Sequence, residues 1–184
     1  MHAARYHPLS IALHWLIALL VVAQLALGWS MIDIAKSPPG VRAWWFNLHK
    51  SIGLTIGMLM LARLGWRLRH GAPPLPDAVP SWQRTAAGVS HFLLYACVIL
   101  QALWGYLGST FTRYPIKYFG VTLPHWGWDS VALKDLFSAL HLGTACLLMA
   151  VLVVHVGAAL KHLLVDRDGV FQRMWPSGRP AGTA

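Results

Sequence analysis

Apolar residues along this chain fall into four long blocks, from about Leu9 to Met31, Trp45 to Leu68, Ala86 to Ser109 and Phe137 to Leu164. Each is long enough for a helix to cross a hydrocarbon core, which takes about 20 residues at a rise of about 1.5 Å each. Breakers separate them: Pro38, Pro39 and Gly40 in the first connection, Gly71, Pro73, Pro74, Pro76 and Pro80 in the second, and Pro115, Gly120, Pro124 and Gly127 in the third. The pattern predicts an all-α integral membrane protein, a four-helix bundle of up-down topology forming one unit over 1–184. The third connection, Thr110 to Leu136, is the longest and carries Tyr114, Tyr118, Phe119, Trp126 and Trp128; it reads either as a lid or as a docking surface. The tail after Asp166, with Pro176, Gly178, Pro180 and Gly182, is expected to be disordered at its tip.

Composition agrees: 57% of the 184 residues are hydrophobic, 11% are charged, and Glu is absent. A net charge of +9 would point to nucleic acid in a soluble protein. Here the basic residues flank apolar spans, where lipid headgroups and topology account for them, so no nucleic-acid partner is expected. Nine of them, Arg5, Arg63, Arg67, Arg69, Arg84, Lys161, Arg167, Arg173 and Arg179, fall on the side of the amino terminus, and six, Lys36, Arg42, Lys50, Arg113, Lys117 and Lys134, on the other. That asymmetry places both termini in the cytoplasm. Trp15, Trp66, Trp82 and Trp175 near the inner ends, and Trp29, Trp44 and Trp45 near the outer ends, mark the interfaces. The first block is too long, and carries His14 too early, for a cleaved signal peptide. Cys97 and Cys146 lie in helix interiors, without C-x-x-C or zinc-type spacing.

The chemistry lies in His14, His49, His141 and His155, all within spanning blocks. An imidazole in hydrocarbon must hydrogen-bond or bind a metal; one alone is more often an interhelical packing residue, but four suggest two haem irons, each between two histidines. His141 and His155 are 14 residues apart, about 21 Å of rise and nearly four whole turns, so they share a face at opposite depths. Each needs a partner at its own level. His49 opens the second span where His141 opens the fourth, near the outer surface; His14 and His155 both lie in the inner half. The expected pairs are His49 with His141 and His14 with His155. An iron held by two imidazoles has no open position, which favours electron transfer over oxygen binding.

Other residues carry alternatives. Lys50, Arg113, Lys117 and Lys134 form a positive outer rim, able to steer an anion or acidic carrier, or to meet haem propionates and headgroups. Lys50, directly after a ligand candidate, is the first choice for propionate contact or electron entry. Arg63 and Arg67 reach headgroups or a propionate. His162, two turns past His155 on nearly the same face, and His91, at the start of the third helix, are candidates for quinone contact or for interfacial packing. His2, His7, His70 and His125 read as solvated. Gly53 and Gly57 suit either a macrocycle face or close helix packing, and Gly143 adds a third small residue near His141.

The chain resembles the bacterial cytochrome b561 family over nearly its whole length. The similarity rests on Ala12-Leu13-His14-Trp15-Leu16, on His49-Lys50-Ser51-Ile52-Gly53-Leu54-Thr55 with Arg63 and Trp66-Arg67-Leu68, on His141-Leu142-Gly143, and on His155 through Ala158-Ala159-Leu160-Lys161-His162 to Asp166-Arg167-Asp168-Gly169 and Met174-Trp175-Pro176. The resemblance implies two non-covalent b-type haems ligated by His14, His49, His141 and His155 in the bacterial cytoplasmic membrane. It also offers an activity, oxidation of superoxide at the outer side with reduction of ubiquinone. The alternative is a cytochrome b subunit that anchors and wires a soluble dehydrogenase or hydrogenase.

Overall fold

A computed structural model describes residues 5–38, 40–77 and 79–176. His2, Pro39, Gly178, Arg179, Pro180 and Gly182 lie outside the described residues. Four helices match the four apolar blocks: α1 (Pro8–Ser30), α2 (Val41–His70), α3 (Ser81–Thr110) and α4 (Val131–Lys161). Helices α2 and α3 overrun their blocks at both ends and α4 begins early, because a helix need not stop where the hydrocarbon does, whereas α1 nearly coincides with its block and α4 ends short of Leu164. Local chemistry sets the ends. Pro8 occupies the first position of α1, where no N–H is required, and the His7 ring accepts from Leu9 N–H at 3.2 Å. Ser130 caps α4 by accepting from Leu133 N–H. Gly40 and Gly71 bracket α2 with φ of 93° and 69°, a region that glycine alone enters at little cost.

Helix α2 departs from the expectation of four equally apolar spans. Among the described residues three helical stretches are long and apolar enough to cross a membrane, Pro8–Asp33, Ser81–Thr110 and Val131–Asp166. The reason is that α2 carries His49, Lys50, Arg63 and Arg67, all of them half-buried against neighbouring elements.

Consecutive helices pack side by side, α1 on α2, α2 on α3 and α3 on α4, in up-down order. A core of Ile17, Val21, Ile56, Met60, Cys97, Val98 and Leu148 ties all four at mid-height. Leu148 lies seven residues from both His141 and His155, so on α4 the core sits between the two histidines. The outward faces are apolar, with Leu19, Leu68 and Val153 exposed, as befits helices whose outer solvent is lipid.

At one end, the segment before α1 meets the segment after α4. Arg5 donates to the carbonyls of Trp175 and Pro176, Tyr6 N–H donates to Arg173 O at 3.3 Å, and Trp15 Nε1 donates to Met174 O at 2.7 Å. The buried Arg173 donates to Pro73 O at 2.6 Å, fastening the second connection to the tail.

At the other end, α4 begins at Val131 rather than near Phe137, which shortens the third connection. That connection contains a hairpin, β1 (Lys117–Tyr118) paired antiparallel with β2 (Val121–Thr122). Its two-residue turn has Phe119 at φ 45° and Gly120 at φ 92°, both positive as a type I′ turn requires. Ser51, 1% exposed, pins the hairpin to α2: its hydroxyl accepts from Phe119 N–H at 2.9 Å and lies within hydrogen-bond reach of Lys117 O and Asn47 O. Thr55 Oγ1 meets the Tyr118 hydroxyl at 3.2 Å. The hairpin is thus a cap on α2, while Tyr114, Trp126 and Trp128 of the same connection face outward.

Candidate metal centre

Two pairs of imidazoles meet across the bundle at opposite ends. At the hairpin end, His49 of α2 faces His141 of α4 with ring centroids 6.2 Å apart and planes at 72°. At the terminal end, His14 of α1 faces His155 of α4 at 6.3 Å and 66°. These are the couples that depth matching along α4 predicts. Two imidazoles bound end-on to one metal ion, at about 2.0–2.1 Å each with a ring radius of about 1.1 Å, have centroids about 6 Å apart. Both pairs fit.

The hairpin-end pair is enclosed by backbone. His141 Nδ1–H donates to Gln101 O of α3 at 3.1 Å, which leaves its Nε2 lone pair available. His49 Nδ1 is buried with no hydrogen-bond partner among the described residues. Gln24 of α1 donates to His49 O at 2.7 Å, locking α1 to α2 at this level. A Cβ on Gly28 would stand 3.0 Å from His49 Cε1, and one on Gly105 would stand 3.2 Å from His141 Cε1. Bare backbone therefore flanks both rings.

The terminal-end pair sits among polar groups instead. His91 of α3 lies edge-on to His155 with centroids 5.4 Å apart, too close to stand opposite it across a metal ion and so beside the pair. Arg63 Nη1 donates to Ser10 O of α1 at 2.6 Å, and its guanidinium lies 6.0 Å from the Tyr95 ring centroid. Its charge acts on His14, His91 and His155, and that of Arg67 acts on His91. The Tyr95 and Ser90 hydroxyls are buried there without hydrogen-bond partners among the described residues. Cations and donors close to a bound group suit the carboxylates that haem carries.

Remaining candidates scatter. Lys50 is half-buried beside His49 and next to Ser51; Lys117 is half-buried in β1. Arg113 is exposed, its guanidinium 5.8 Å from the Tyr114 ring, and Lys134 is paired with Asp135 at 2.8 Å, which offsets its charge. His162 does not continue the α4 face as a regular helix would. The α-helix gives way there to a π-helical turn, His162–Asp166, and His162 Nδ1–H donates to Asp168 Oδ2 at 2.7 Å, with Asp166 Oδ2 at 3.4 Å. Asp166 is also bridged by Lys161. His7, His70 and His125 are exposed as expected, yet each makes a local contact. His7 caps α1, His70 stacks on Trp66 at 3.8 Å, and His125 Nε2–H donates to Thr110 O at 2.7 Å. Gly57 resolves to helix packing, since a Cβ there would stand 2.7 Å from Ala102 Cβ; Gly53 abuts Gln24, and Gly143 meets nothing within 4 Å.

The residues missed by sequence reasoning are Gln24, Gln101, Gly28, Gly105, Ser51 and the Asp166/Asp168 clamp. The two glutamines carried a usable signal, because an amide inside an apolar span needs a partner as an imidazole does.

Comparison with known proteins bears on the metal. A profile described as prokaryotic cytochrome b561 matches residues 5–177. The chain belongs to the prokaryotic cytochrome b561 family. It is 35% identical over 175 residues to Cytochrome b561 homolog 2 of Escherichia coli (strain K12), covering 92% of this chain and 90% of that one. It is 30% identical over 181 residues to the Probable superoxide oxidase CybB of Yersinia pestis, covering 95% and 98%. Cytochrome b562 of Cereibacter sphaeroides is 28% identical over 175 residues, covering 92% and 94%. The chain is accordingly a membrane protein that binds haem b and transfers electrons. The donor chemistry agrees: two imidazoles per site, one with its second nitrogen held by a carbonyl, and guanidinium groups at one end.

Proposed function

We propose that the chain carries two haem b groups, one between His49 and His141 and one between His14 and His155, and moves electrons across the membrane from an outer-side donor to the quinone pool. The observation that carries this is the pair of imidazole couples, 6.2 and 6.3 Å between centroids, at opposite ends of one bundle. Haem held by two imidazoles supplies one-electron transfer without an open coordination position. The terminal end faces the cytoplasm in the bacterial inner membrane, and the hairpin end faces outward, in line with the basic residues near the termini. Superoxide is the donor and ubiquinone the acceptor: two superoxide ions lose one electron each to become dioxygen, and one quinone takes both electrons and two protons. The relative named as a probable superoxide oxidase supports this choice.

The protein's own side chains have distinct roles. Gln101 O fixes the His141 tautomer and orientation. Arg63 and Arg67 pair with carboxylates of the terminal-end haem, and Lys50 does so at the hairpin end. Lys50, Lys117, Arg113 and Lys134 draw an anion toward the hairpin end, with Lys134 weakened by Asp135. His162, oriented by Asp168, hydrogen-bonds a quinone carbonyl and supplies a proton; His91 serves the same region. The test is purified protein in ubiquinone-loaded liposomes supplied with superoxide. One ubiquinol for every two superoxide ions consumed is expected, and haems that superoxide leaves oxidised contradict the donor.

A second reading has one observation in its favour. Exposed Tyr114, Trp126 and Trp128 on the third connection offer an aromatic surface to a soluble redox partner, as an anchoring subunit would need. Haems reduced by such a partner and not by superoxide would select it.

A further inference from the structure

The glycines behind the hairpin-end rings are not helix-packing glycines. Gly57 illustrates packing: its missing Cβ makes room for Ala102 of the next helix, 2.7 Å away. Gly28 and Gly105 meet no neighbouring backbone; their closest neighbours are His49 Cε1 at 3.0 Å and His141 Cε1 and Nδ1 at 3.2 and 3.4 Å. Both positions lie within helices, where alanine is the better helix former, so glycine is locally unfavourable at each. Each also sits on a helix that gives no ligand to this pair, Gly28 on α1 and Gly105 on α3. The two rings stand at 72° to each other. One has its azimuth held by the Gln101 carbonyl, while His49 Nδ1 has no hydrogen bond to hold it among the described residues. The His49 ring instead occupies the room that a side chain at Gly28 would take.

We propose that Gly28 and Gly105 are positioning residues that set the angle between the His49 and His141 ring planes, and through it the electronic structure of the haem they hold. The inference rests on the assignment of His49 and His141 as ligands. Its physical basis is general. Near-perpendicular imidazole planes leave two iron d orbitals close in energy and raise the largest g value of the ferric low-spin state, while coplanar rings split them and lower it. A methyl group at Gly28 would stand 3.0 Å from His49 Cε1, tighter than ordinary packing, so the ring has to give by a few tenths of an ångström. A methyl group at Gly105 asks less, and the Gln101 hydrogen bond resists the rotation.

The experiment is electron paramagnetic resonance and redox titration of oxidised Gly28→Ala and Gly105→Ala, with haem counted in each preparation. Gly65→Ala, on the exposed face of α2 where nothing lies within 4 Å, serves as the control. The expected result is a shifted largest g value and a shifted potential for the hairpin-end haem alone, larger for Gly28→Ala than for Gly105→Ala, with the control unchanged. Loss of that haem from Gly28→Ala would leave the ring angle to be read in Gly105→Ala. Unmoved g values in both variants overturn it, as does an equal shift in Gly65→Ala. If Gly28→Ala fails to assemble, Gly105→Ala decides by the same criterion. Retention of both haem signals in His49→Ala and His141→Ala would sink the ligand assignment instead, so the two failures are distinguishable.

Discussion

The two ends of the bundle hold imidazole pairs of nearly the same separation, 6.2 and 6.3 Å, in opposite surroundings. At the hairpin end the rings lie against glycine backbone and a carbonyl, under a cap fastened to α2 by Ser51. At the terminal end they lie beside a third histidine and two arginines, in contact range of the N-terminal segment and the folded-back tail. The ring geometry is common; the electrostatics differs in degree, since Lys50 acts on His49 alone at one end, whereas Arg63 acts on three imidazoles at the other. Cations near an iron favour its reduced form, because an added electron is better stabilised beside positive charge. The terminal-end site should therefore be the easier to reduce, giving electrons from the hairpin end a downhill path.

The contrast between the ends can be taken apart in stages. Replacing any one of the proposed ligands has the largest expected effect: on the proposed count of two haems, His49→Ala or His141→Ala should lower bound haem to one per chain and leave the arginine-flanked site, and His14→Ala or His155→Ala should leave the other. Pyridine haemochrome quantitation reads the count, and redox titration reads which site survives. Ser51→Ala comes next. It removes the acceptor for Phe119 N–H and is expected to cost about 1–3 kcal/mol of hairpin docking. Faster proteolysis within 111–130, with a perturbed hairpin-end haem and an unmoved terminal-end haem, is the expected pattern.

Arg63→Gln then tests the electrostatic half. A unit charge within about 10 Å at an effective dielectric of about 20 is worth about 1–2 kcal/mol. The terminal-end potential should fall by that amount while the hairpin-end potential holds. Equal falls at both ends would mean that Arg63 does not distinguish them. The smallest effect is on steering. With Lys134 paired to Asp135, raising the salt from low to physiological should slow superoxide-driven haem reduction by less than about tenfold. A rate independent of salt would remove the steering role of the rim.

The four helices and the two ring couples can be read in the sequence because each depends on a period: about 20 apolar residues per span, and 14 residues from His141 to His155. What stays hidden depends on contacts between distant segments. The hairpin turn uses Phe119-Gly120, and a bulky residue at positive φ carries no turn signature; only Ser51, far away in the chain, explains why it folds there. Helical period alone misplaces His162, because the period fails where Asp166 and Asp168 draw the ring into a π-helical turn. Gly57 looks the same in sequence as Gly28 or Gly105, since what separates them is which neighbour lacks room. The uniform apolar reading of α2 fails because a helix that brings a histidine, a lysine and two arginines against its neighbours is less apolar than the other three.

Whether the rings pair by depth is decided by haem quantitation on double variants. His49→Ala with His141→Ala, and His14→Ala with His155→Ala, should each retain one haem per chain, whereas His14→Ala with His141→Ala should retain none. One haem retained by that last variant, with none in either of the first two, would show that the rings pair otherwise.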